Sequence, residues 1–316
     1  MSPEKSAPPV LLVLNPMSEA HRDAIGATYE LVYAPDATQR AAAIAREGAR
    51  AAAVLTIGSI GLSAAEIDAM PALSLVCALG AGYENIAVDH AKSRGIVVAN
   101  GANTNDDCVA DHAMALLLAA VRAIPQLDRA CRAGIWRTEL PTQPNVSGKR
   151  LGVLGFGGIG RKIARRAAAF DMAIGYCTRT RRDDAGQRWF DSALALAEWC
   201  DFLVVATPGG AATRHLVDAA VLSALGPQGY LVNISRGSVV DTAALAAALR
   251  EGRVRGAGLD VYESEPAPPV ELFDVDGVVL TPHVAGTSPE AVQATIDRFL
   301  DNAGRHFAGQ PVVSPV

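Results

Sequence analysis

Three residue types with complementary chemistry follow one another in the second half of the chain: Arg236, Glu265 and His283. Histidine titrates near neutral pH and is therefore a suitable proton donor. A neighbouring carboxylate favours the imidazolium and fixes its orientation. An arginine can hold a substrate carboxylate through paired hydrogen bonds and polarise a nearby carbonyl. The set is therefore suited to protonating the carbonyl oxygen of an anionic substrate.

Each of these residues also has an ordinary interpretation. Arg236 could form a surface salt bridge, Glu265 could be a loop carboxylate, and His283 could be a buried, hydrogen-bonded histidine. The order of the three favours the catalytic interpretation. The other histidines are interpreted as buried, hydrogen-bonded residues of the fold: His21, His90, His112, His215 and His306.

A glycine-rich loop, Gly155-Phe-Gly-Gly-Ile-Gly160, follows the apolar run Leu151–Leu154 and precedes a predicted helix over about residues 161–170. That context is what a dinucleotide-binding fingerprint requires. The glycines permit a tight turn, close approach of a pyrophosphate and close helix–strand packing, and the helix N-terminus attracts the phosphates. A bound nicotinamide would supply hydride to a carbonyl carbon, so the loop and the three residues together fit reduction of a 2-oxo acid. A glycine-rich turn without a ligand is the alternative.

The end of the next predicted strand carries Thr178-Arg-Thr-Arg-Arg182. Proteins that bind NAD commonly place an Asp or Glu there, about 20 residues beyond the glycines, to bind the ribose 2′-hydroxyl. Arginine and hydroxyl side chains instead suit a 2′-phosphate. The segment therefore predicts NADPH as the preferred cofactor over NADH, and a solvated basic turn is the alternative.

Short apolar runs separated by helical stretches must position these residues, a pattern typical of parallel sheets with helical crossovers. Thr38 to Ala52 is predicted as a helix, Thr104 to Asp107 as the start of a helix over 108–122, and Ser288 to Phe307 as a closing helix. The predicted strands are Val10–Leu14, Glu30–Tyr33, Ala53–Ile57, Leu73–Cys77, Gly95–Ala99, Leu151–Leu154, Ala173–Tyr176, Phe202–Ala206, Leu231–Ile234, Ala257–Asp260 and Val278–Leu280. Since Arg236, Glu265 and His283 each follow a predicted parallel strand, we expect them to converge at one sheet edge.

Length, composition and charge limit the classes of protein to which the chain can belong. A chain of 316 residues suggests two domains, and 50% hydrophobic with 19% charged residues excludes a disordered chain. A net charge of −5 argues against a nucleic-acid or anionic-membrane partner. The longest apolar stretch, Ala113 to Val121, is too short to span a membrane. The 5 cysteines include no Cys-x-x-Cys pair, so we predict buried free thiols, no metal site and a cytoplasmic location.

With these motifs assembled, the sequence resembles the D-isomer-specific 2-hydroxyacid dehydrogenase family over nearly its whole length. The motifs that carry the resemblance are Gly155–Gly160, Asn233–Gly237, Asp260–Pro266 and Thr281–Gly286. A closer similarity to glyoxylate/hydroxypyruvate reductases and hydroxyphenylpyruvate reductases rests on Leu79–Ile86, Ala133–Trp136 and Cys177–Arg181. One departure follows Pro208, where Gly209 and Gly210 replace the Leu and Thr that family members often carry.

The resemblance implies roles for individual residues, and none of them is a metal ligand. It makes Arg236, Glu265 and His283 catalytic. It implies substrate binding by Leu79, Gly80, Ala81, Gly82 and Trp136. It implies cofactor binding by Gly155, Gly157, Gly158, Ile159, Gly160, Thr178, Arg179, Thr180, Thr207, Pro208, Thr213, Ile234, Asp260, Ala285 and Gly286. Trp136 matches a residue that reaches into the partner's site of a dimer, although packing within its own subunit or the interface is equally compatible with the sequence.

The resemblance also implies an α/β architecture of two Rossmann-like domains. The dinucleotide-binding domain, residues 100–288, is inserted into a discontinuous, flavodoxin-like substrate domain of residues 1–99 and 289–316. The implied activity is NADPH-dependent reduction of small 2-oxo acids, such as glyoxylate and hydroxypyruvate, to (R)-2-hydroxy acids by a homodimer. The alternatives are a reductase of hydroxyphenylpyruvate or other bulky 2-oxo acids, a dehydrogenase of formate or phosphite, and a non-catalytic dinucleotide-sensing interaction protein.

Overall fold

The computed structural model describes residues 7–316, so the part of the predicted first domain at residues 1–6 lies outside it. The strands are β1 (Val10–Val13), β2 (Glu30–Tyr33), β3 (Ala51–Ile57), β4 (Leu75–Leu79), β5 (Val97–Asn100), β6 (Arg150–Leu154), β7 (Ala173–Cys177), β8 (Arg188–Phe190), β9 (Phe202–Val205), β10 (Tyr230–Asn233), β11 (Gly256–Leu259) and β12 (Val278–Leu280). The helices are α1 (Glu19–Gly26), α2 (Ala37–Glu47), α3 (Ala64–Asp68), α4 (Val88–Ser93), α5 (Asp106–Val121), α6 (Ile124–Arg132), α7 (Gly158–Ala168), α8 (Ala193–Trp199), α9 (Ala219–Leu225), α10 (Thr242–Arg250) and α11 (Pro289–Phe307). They form two compact units, Met1–Asn105 with Ser288–Val316, and Asp106–Thr287.

The first unit is built on a five-stranded parallel sheet of order β2-β1-β3-β4-β5. This is the flavodoxin-like order of a doubly wound fold. Helix α11 begins after Ser288, whose side chain accepts a hydrogen bond from the Ala291 N–H. Its residues Ile296 and Phe299 are buried in one hydrophobic cluster with Leu11 of β1. The closing helix therefore covers one face of the sheet that the first hundred residues form.

The second unit contains a seven-stranded parallel sheet of order β12-β11-β10-β9-β6-β7-β8. The direction of winding reverses between β6 and β9, and ligands of such sheets bind beside that point, at the carboxyl ends of the strands. Helices α5 and α7 cover one face through a buried cluster that includes Leu117, Ile163 and Val153. The loops after β6, β9, β10, β11 and β12 all leave the same edge of this sheet. The predicted fold class of two parallel-sheet α/β domains is confirmed.

Several local predictions were wrong at their boundaries. β4 and β5 begin at Leu75 and Val97, each two residues after the predicted first residue of the strand. The helix predicted over Thr38 to Ala52 ends at Glu47, because the buried alanine at position 51 begins β3. Thr104 does not cap α5; its hydroxyl donates to the Gly101 carbonyl instead.

Two short elements were missed. Helix α6 has 9 residues, none of them buried, although its apolar residues Ile124, Leu127 and Cys131 recur at helical spacing on one face. Strand β8 is 3 residues long, below the length at which alternation can be recognised. Both were absent from the predicted elements.

The prediction of buried thiols was correct for Cys77, Cys177 and Cys200, and wrong for Cys108, which is half-buried, and Cys131, which is exposed on α6. Burial raises the pKa of the Cys77 thiol to about 12. In residues 7–316 no single helix is long and apolar enough to cross a membrane, although α5 and α6, bent by 57°, meet the length and composition criterion when taken as a pair.

Candidate active site

The turn after β12 presents His283 in a left-handed backbone conformation, with φ at 54°. Its N–H donates to the Asp260 carbonyl at 2.8 Å, which ties this turn to the end of β11. A non-glycine residue rarely adopts this conformation, and surrounding structure must compensate the strain. The turn that carries the imidazole is therefore fixed by its neighbour strand.

The imidazole of His283 faces the carboxylate of Glu265, with Nδ1 at 2.7 Å from Oε2. The hydrogen bond that His283 donates to Glu265 raises the pKa of His283 above its ordinary value, against the opposing effect of burial. Burial alone would raise the pKa of Glu265, but hydrogen bonds from His283 and the Tyr262 N–H outweigh it and lower that pKa. The pair thus favours an imidazolium beside a carboxylate. The His283 side chain is 40% exposed, and the contact with Glu265 uses Nδ1 and not Nε2.

Tyr262 holds Glu265 and joins two strand ends. Its N–H donates to Glu265 Oε1 at 2.8 Å. Its hydroxyl lies within hydrogen-bond distance of the Leu259 carbonyl at 2.9 Å and of the Thr281 carbonyl at 2.7 Å. Burial raises the pKa of Tyr262 to about 12, so the hydroxyl stays protonated. The orientation of Glu265 is therefore set by groups on both β11 and β12.

Asp260 shapes the turn that carries His283. The residue is 1% exposed. Its carboxylate accepts hydrogen bonds from the Thr281 hydroxyl at 2.6 Å, the Val284 N–H at 2.9 Å and the Ala285 N–H at 2.8 Å. These three bonds compensate the desolvation of a buried charge. The structure thus shows Asp260 as a support of the 281–285 turn.

Arg236 follows β10, in a turn that Asn233 organises. Asn233 donates from Nδ2 to the Arg236 carbonyl at 3.1 Å and accepts from the Ser235 N–H at 3.0 Å. The next residue must be glycine, because a Cβ on Gly237 would lie 1.9 Å from the Tyr262 carbonyl carbon. The positive charge of Arg236 affects the other two residues. It helps to lower the pKa of Glu265, and it opposes the rise in the pKa of His283. The structure therefore brings the three predicted catalytic residues into one electrostatic cluster.

The glycine loop after β6 has the geometry of a dinucleotide site. Gly155 has φ at 97°, and a Cβ there would lie 2.7 Å from the Thr207 nitrogen. A Cβ on Gly160 would lie 2.2 Å from the Gly155 carbonyl oxygen, so helix and loop pack as closely as glycine allows. A Cβ on Gly157 would meet nothing within 4 Å. Gly157 is also the N-cap of α7 and provides no side-chain cap, so the first N–H groups of the helix can bind a pyrophosphate.

Comparison with known proteins agrees with this geometry. The model of the D-isomer-specific 2-hydroxyacid dehydrogenase NAD-binding domain matches residues 114–285. The chain belongs to the D-isomer-specific 2-hydroxyacid dehydrogenase family. It is an oxidoreductase of that family, and its second unit contains the NAD(P)-binding domain.

Individual relatives are similar over most of their length. The hydroxyphenylpyruvate reductase of Plectranthus scutellarioides is 39% identical over 265 residues, covering 84% of this chain and 85% of the relative. A glyoxylate/hydroxypyruvate reductase of Arabidopsis thaliana is 40% identical over 265 residues, with the same shares. Among solved structures, the NADPH-dependent glyoxylate/hydroxypyruvate reductase of Sinorhizobium meliloti, in complex with NADP and malonate, has a TM-score of 0.91 at 37% identity and covers 98% of this chain and 97% of that one.

The basic segment after β7 of this dehydrogenase is exposed at Arg179 and Thr180, and Thr178 is half-buried. Thr178 donates from its hydroxyl to the Thr180 carbonyl at 2.7 Å, and the Trp189 indole donates to the Thr178 carbonyl at 3.2 Å. Within residues 7–316, Arg179 forms no salt bridge. Its guanidinium is therefore available to an anionic ligand.

The remaining predicted cofactor residues lie at the same sheet edge. Thr213 donates from its hydroxyl to the Pro208 carbonyl at 2.8 Å, which closes the loop after Thr207. Ile234 and Ala285 are buried, at 7% and 3% exposure. Gly158 and Ile159 form the first turn of α7, and Gly286 ends the turn that follows His283.

The predicted substrate loop begins in the first unit, where β4 ends at Leu79. Gly80 has φ at 76°, and its carbonyl accepts from the Gly101 N–H at 2.7 Å. The Asn100 side chain donates to the Ala81 carbonyl at 2.8 Å. The N–H groups of Ala81 and Gly82 donate to no group of the described residues, so they remain available to an anion.

Trp136 lies in the second unit, after α6, and is 66% exposed. The structure therefore does not pack it within its own unit. Ile135, directly before it, and Ile124, at the start of α6, are also exposed.

Two histidines that the sequence assigned to the fold contact the loops of this site. His112 on α5 lies with Nε2 2.9 Å from the Thr281 hydroxyl, which in turn donates to Asp260. His215 lies with Nε2 2.7 Å from Glu263 Oε1. All five of these histidines have a hydrogen-bond partner, as predicted, but none is fully buried. The partners of His112 and His215 are distant in sequence, so no local motif records these two contacts.

Proposed function

We propose that this dehydrogenase reduces small 2-oxo acids to 2-hydroxy acids, with glyoxylate and hydroxypyruvate as first candidates, and that a chiral product has the (R) configuration. The observation that carries the proposal is the 2.7 Å contact between His283 and Glu265, with the pKa of the imidazole raised by that hydrogen bond. A protonated imidazole can donate to the oxygen of a carbonyl group that is being reduced, and a raised pKa keeps the ring protonated to higher pH. The relatives named for reduction of glyoxylate and hydroxypyruvate support this substrate class.

The side chains have distinct roles in this proposal. Arg236 binds the substrate carboxylate and polarises the neighbouring carbonyl. His283 donates its Nε2 proton to the carbonyl oxygen, and Glu265 stabilises the imidazolium and fixes the ring. The nicotinamide dinucleotide, when bound, supplies the hydride for the carbonyl carbon. We assign Leu79 to Gly82 to the binding of the substrate carboxylate as well, through the open N–H groups of Ala81 and Gly82.

We infer that NADPH is preferred over NADH. The exposed guanidinium of Arg179 and the hydroxyl of Thr180 stand after β7, where a carboxylate would otherwise bind the ribose 2′-hydroxyl. The relative from Sinorhizobium meliloti is NADPH-dependent, which agrees with this assignment.

The proposal extends to assembly and domain roles. The second unit would bind the dinucleotide and the first would serve as the substrate domain. The exposed α6 and Trp136 would contribute to a homodimer in which Trp136 lines the partner's substrate site. The cytoplasmic location stays a prediction from the sequence.

A reductase of hydroxyphenylpyruvate is the second candidate, since a relative of that name matches at 39% identity. A panel of glyoxylate, hydroxypyruvate and hydroxyphenylpyruvate, assayed by NADPH and NADH absorbance, separates the two. We expect the smaller acids to have the higher kcat/KM with NADPH, and chiral chromatography to show the (R)-product from hydroxypyruvate. His283→Ala should lower turnover by about 10²–10⁴-fold while NADPH still binds. The proposal is refuted if, with every acid in the panel, the unmodified enzyme oxidises NADPH no faster than His283→Ala does.

A further inference from the structure

The loop of residues 207–215, which follows β9, makes contacts that the proposed reaction does not use. At one end Gly209 lies against the aliphatic stem of Arg236, since a Cβ there would be 2.7 Å from Arg236 Cγ. At the other end His215 has φ at 49°, a left-handed conformation that is strained for a non-glycine residue. Such strain persists only where the surroundings enforce it, and it concentrates at functional sites.

The backbone around His215 is fixed to the turn that follows Arg236. The His215 N–H donates to the Ser238 carbonyl at 2.8 Å. Two residues later, the Val217 N–H donates to the Val239 carbonyl at 3.0 Å, and the Asp241 N–H donates back to the Val217 carbonyl at 3.0 Å. The 207–215 loop therefore ends in a short parallel bridge to the segment after β10.

The side chain of His215 binds the segment after β11. Nε2 lies 2.7 Å from Glu263 Oε1, and Nδ1 lies 3.8 Å from Asp241 Oδ2. Arg214 also approaches Glu263, at 3.7 Å. The other carboxylate oxygen of Glu263 accepts from the Thr242 N–H at 3.0 Å, at the start of α10. Burial would raise the pKa of Glu263, but the hydrogen bonds from His215 and Thr242 outweigh it and lower that pKa.

Glu263 is two residues before Glu265, in the turn whose backbone contacts Gly237 at Tyr262. A bond from His215 to Glu263 therefore joins the turn of Arg236 to the turn of Glu265. We propose that His215, acting through Glu263, is a positioning residue that holds Arg236 and Glu265 in the relative positions that the reaction requires. This inference rests on the proposed function and adds to it a residue that does not touch the substrate.

Substitutions at position 215 can separate positioning from folding. Glycine accepts φ near +50° without strain, so His215→Gly removes the ring and leaves the backbone favourable. Asparagine also tolerates this conformation and retains a hydrogen-bond donor. We expect His215→Gly to lower kcat by about 10-fold with KM for NADPH unchanged, because small misplacement of catalytic groups slows turnover more than it weakens binding. His215→Asn should recover part of the loss.

Glu263→Gln tests the partner of the same contact. If the two side chains act as a pair, the double variant His215→Gly/Glu263→Gln should be no slower than the slower single variant. The matched control is His90→Asn, which removes another histidine–carboxylate pair, His90 with Asp68 at 2.8 Å, in the first unit. The control should keep the kcat of the unmodified enzyme.

A second measurement does not depend on turnover. Titration of the His283 ring by NMR, with its resonance assigned by its loss in His283→Gln, reports the contact with Glu265. In His215→Gly the pKa of His283 should fall towards its ordinary value, because Glu265 is no longer held against the ring.

An unchanged kcat and an unchanged pKa of His283 in His215→Gly would overturn the positioning role, and so would a lowered Tm accompanied by full activity. If the unmodified enzyme reduces none of the 2-oxo acids, the proposed function fails, whereas the pKa of His283 still shows whether His215 positions Glu265.

Discussion

Gly209 lies directly against Arg236: a Cβ added to the glycine would stand 2.7 Å from Cγ and 3.1 Å from Cβ of the arginine. The arginine stem therefore packs against a residue that has no side chain. The conformation of Arg236 is therefore coupled to the glycine at position 209.

Replacement of Gly209 should displace the guanidinium. We expect Gly209→Leu to lower kcat/KM for the 2-oxo acid by about 10-fold or more, since a shift of about 1 Å in a substrate-binding group is enough for a large loss. Binding of NADPH, measured by fluorescence titration, should change much less. Gly186→Ala is the matched control, because a Cβ there meets nothing within 4 Å. Equal activity of Gly209→Leu and the control would contradict the coupling.

The pH dependence of reduction follows from the pair His283 and Glu265. The pKa of His283 is raised, so the imidazolium persists above the ordinary histidine range and reduction should decline only as pH rises through this raised value. Glu265→Gln removes the largest cause of the rise, and the midpoint of the decline should move to lower pH. Profiles of kcat/KM against pH for both proteins measure the shift.

Two comparisons accompany that profile. Oxidation of the (R)-2-hydroxy acid requires a neutral imidazole as base, so its rate should rise with pH over the same range in which reduction falls. Glu271→Gln, at an exposed carboxylate, should leave the midpoint unchanged. A Glu265→Gln midpoint that equals the unmodified one would show that Glu265 does not set the proton affinity of His283.

The fold class was predictable because apolar runs alternate with helical stretches throughout the chain, and parallel strands place the ends of such runs at one edge. That logic also placed Arg236 and His283 at the ends of β10 and β12, which lie on either side of β11 in the sheet. Other features depend on tertiary contacts that no local pattern records. His215 was assigned to the fold because its partner Glu263 is 48 residues away. Helix α6 was missed for another reason: it is only 9 residues long and covers no part of the core, although its apolar residues recur at helical spacing.

The preference for NADPH should depend on the guanidinium at position 179. Arg179→Ser removes a charge that is exposed after β7 and forms no salt bridge in residues 7–316. We expect KM for NADPH to rise by about 10-fold, in line with the loss of a charge-assisted hydrogen bond to phosphate, and KM for NADH to stay constant. Arg188→Ser, at another exposed arginine of the same unit, is the control. Equal changes in both KM values would show that Arg179 does not recognise the 2′-phosphate.

The glycine loop offers a paired test of cofactor binding and stability. A Cβ at Gly157 meets nothing, so Gly157→Ala should keep the Tm of the unmodified protein and weaken NADPH binding, because a methyl group then occupies the approach of the pyrophosphate. A Cβ at Gly160 would lie 2.2 Å from the Gly155 carbonyl oxygen, so Gly160→Ala should lower Tm by several degrees even without cofactor. Thermal unfolding with and without NADPH distinguishes the two effects. If Gly157→Ala binds NADPH as tightly as the unmodified enzyme, the pyrophosphate does not lie against Gly157.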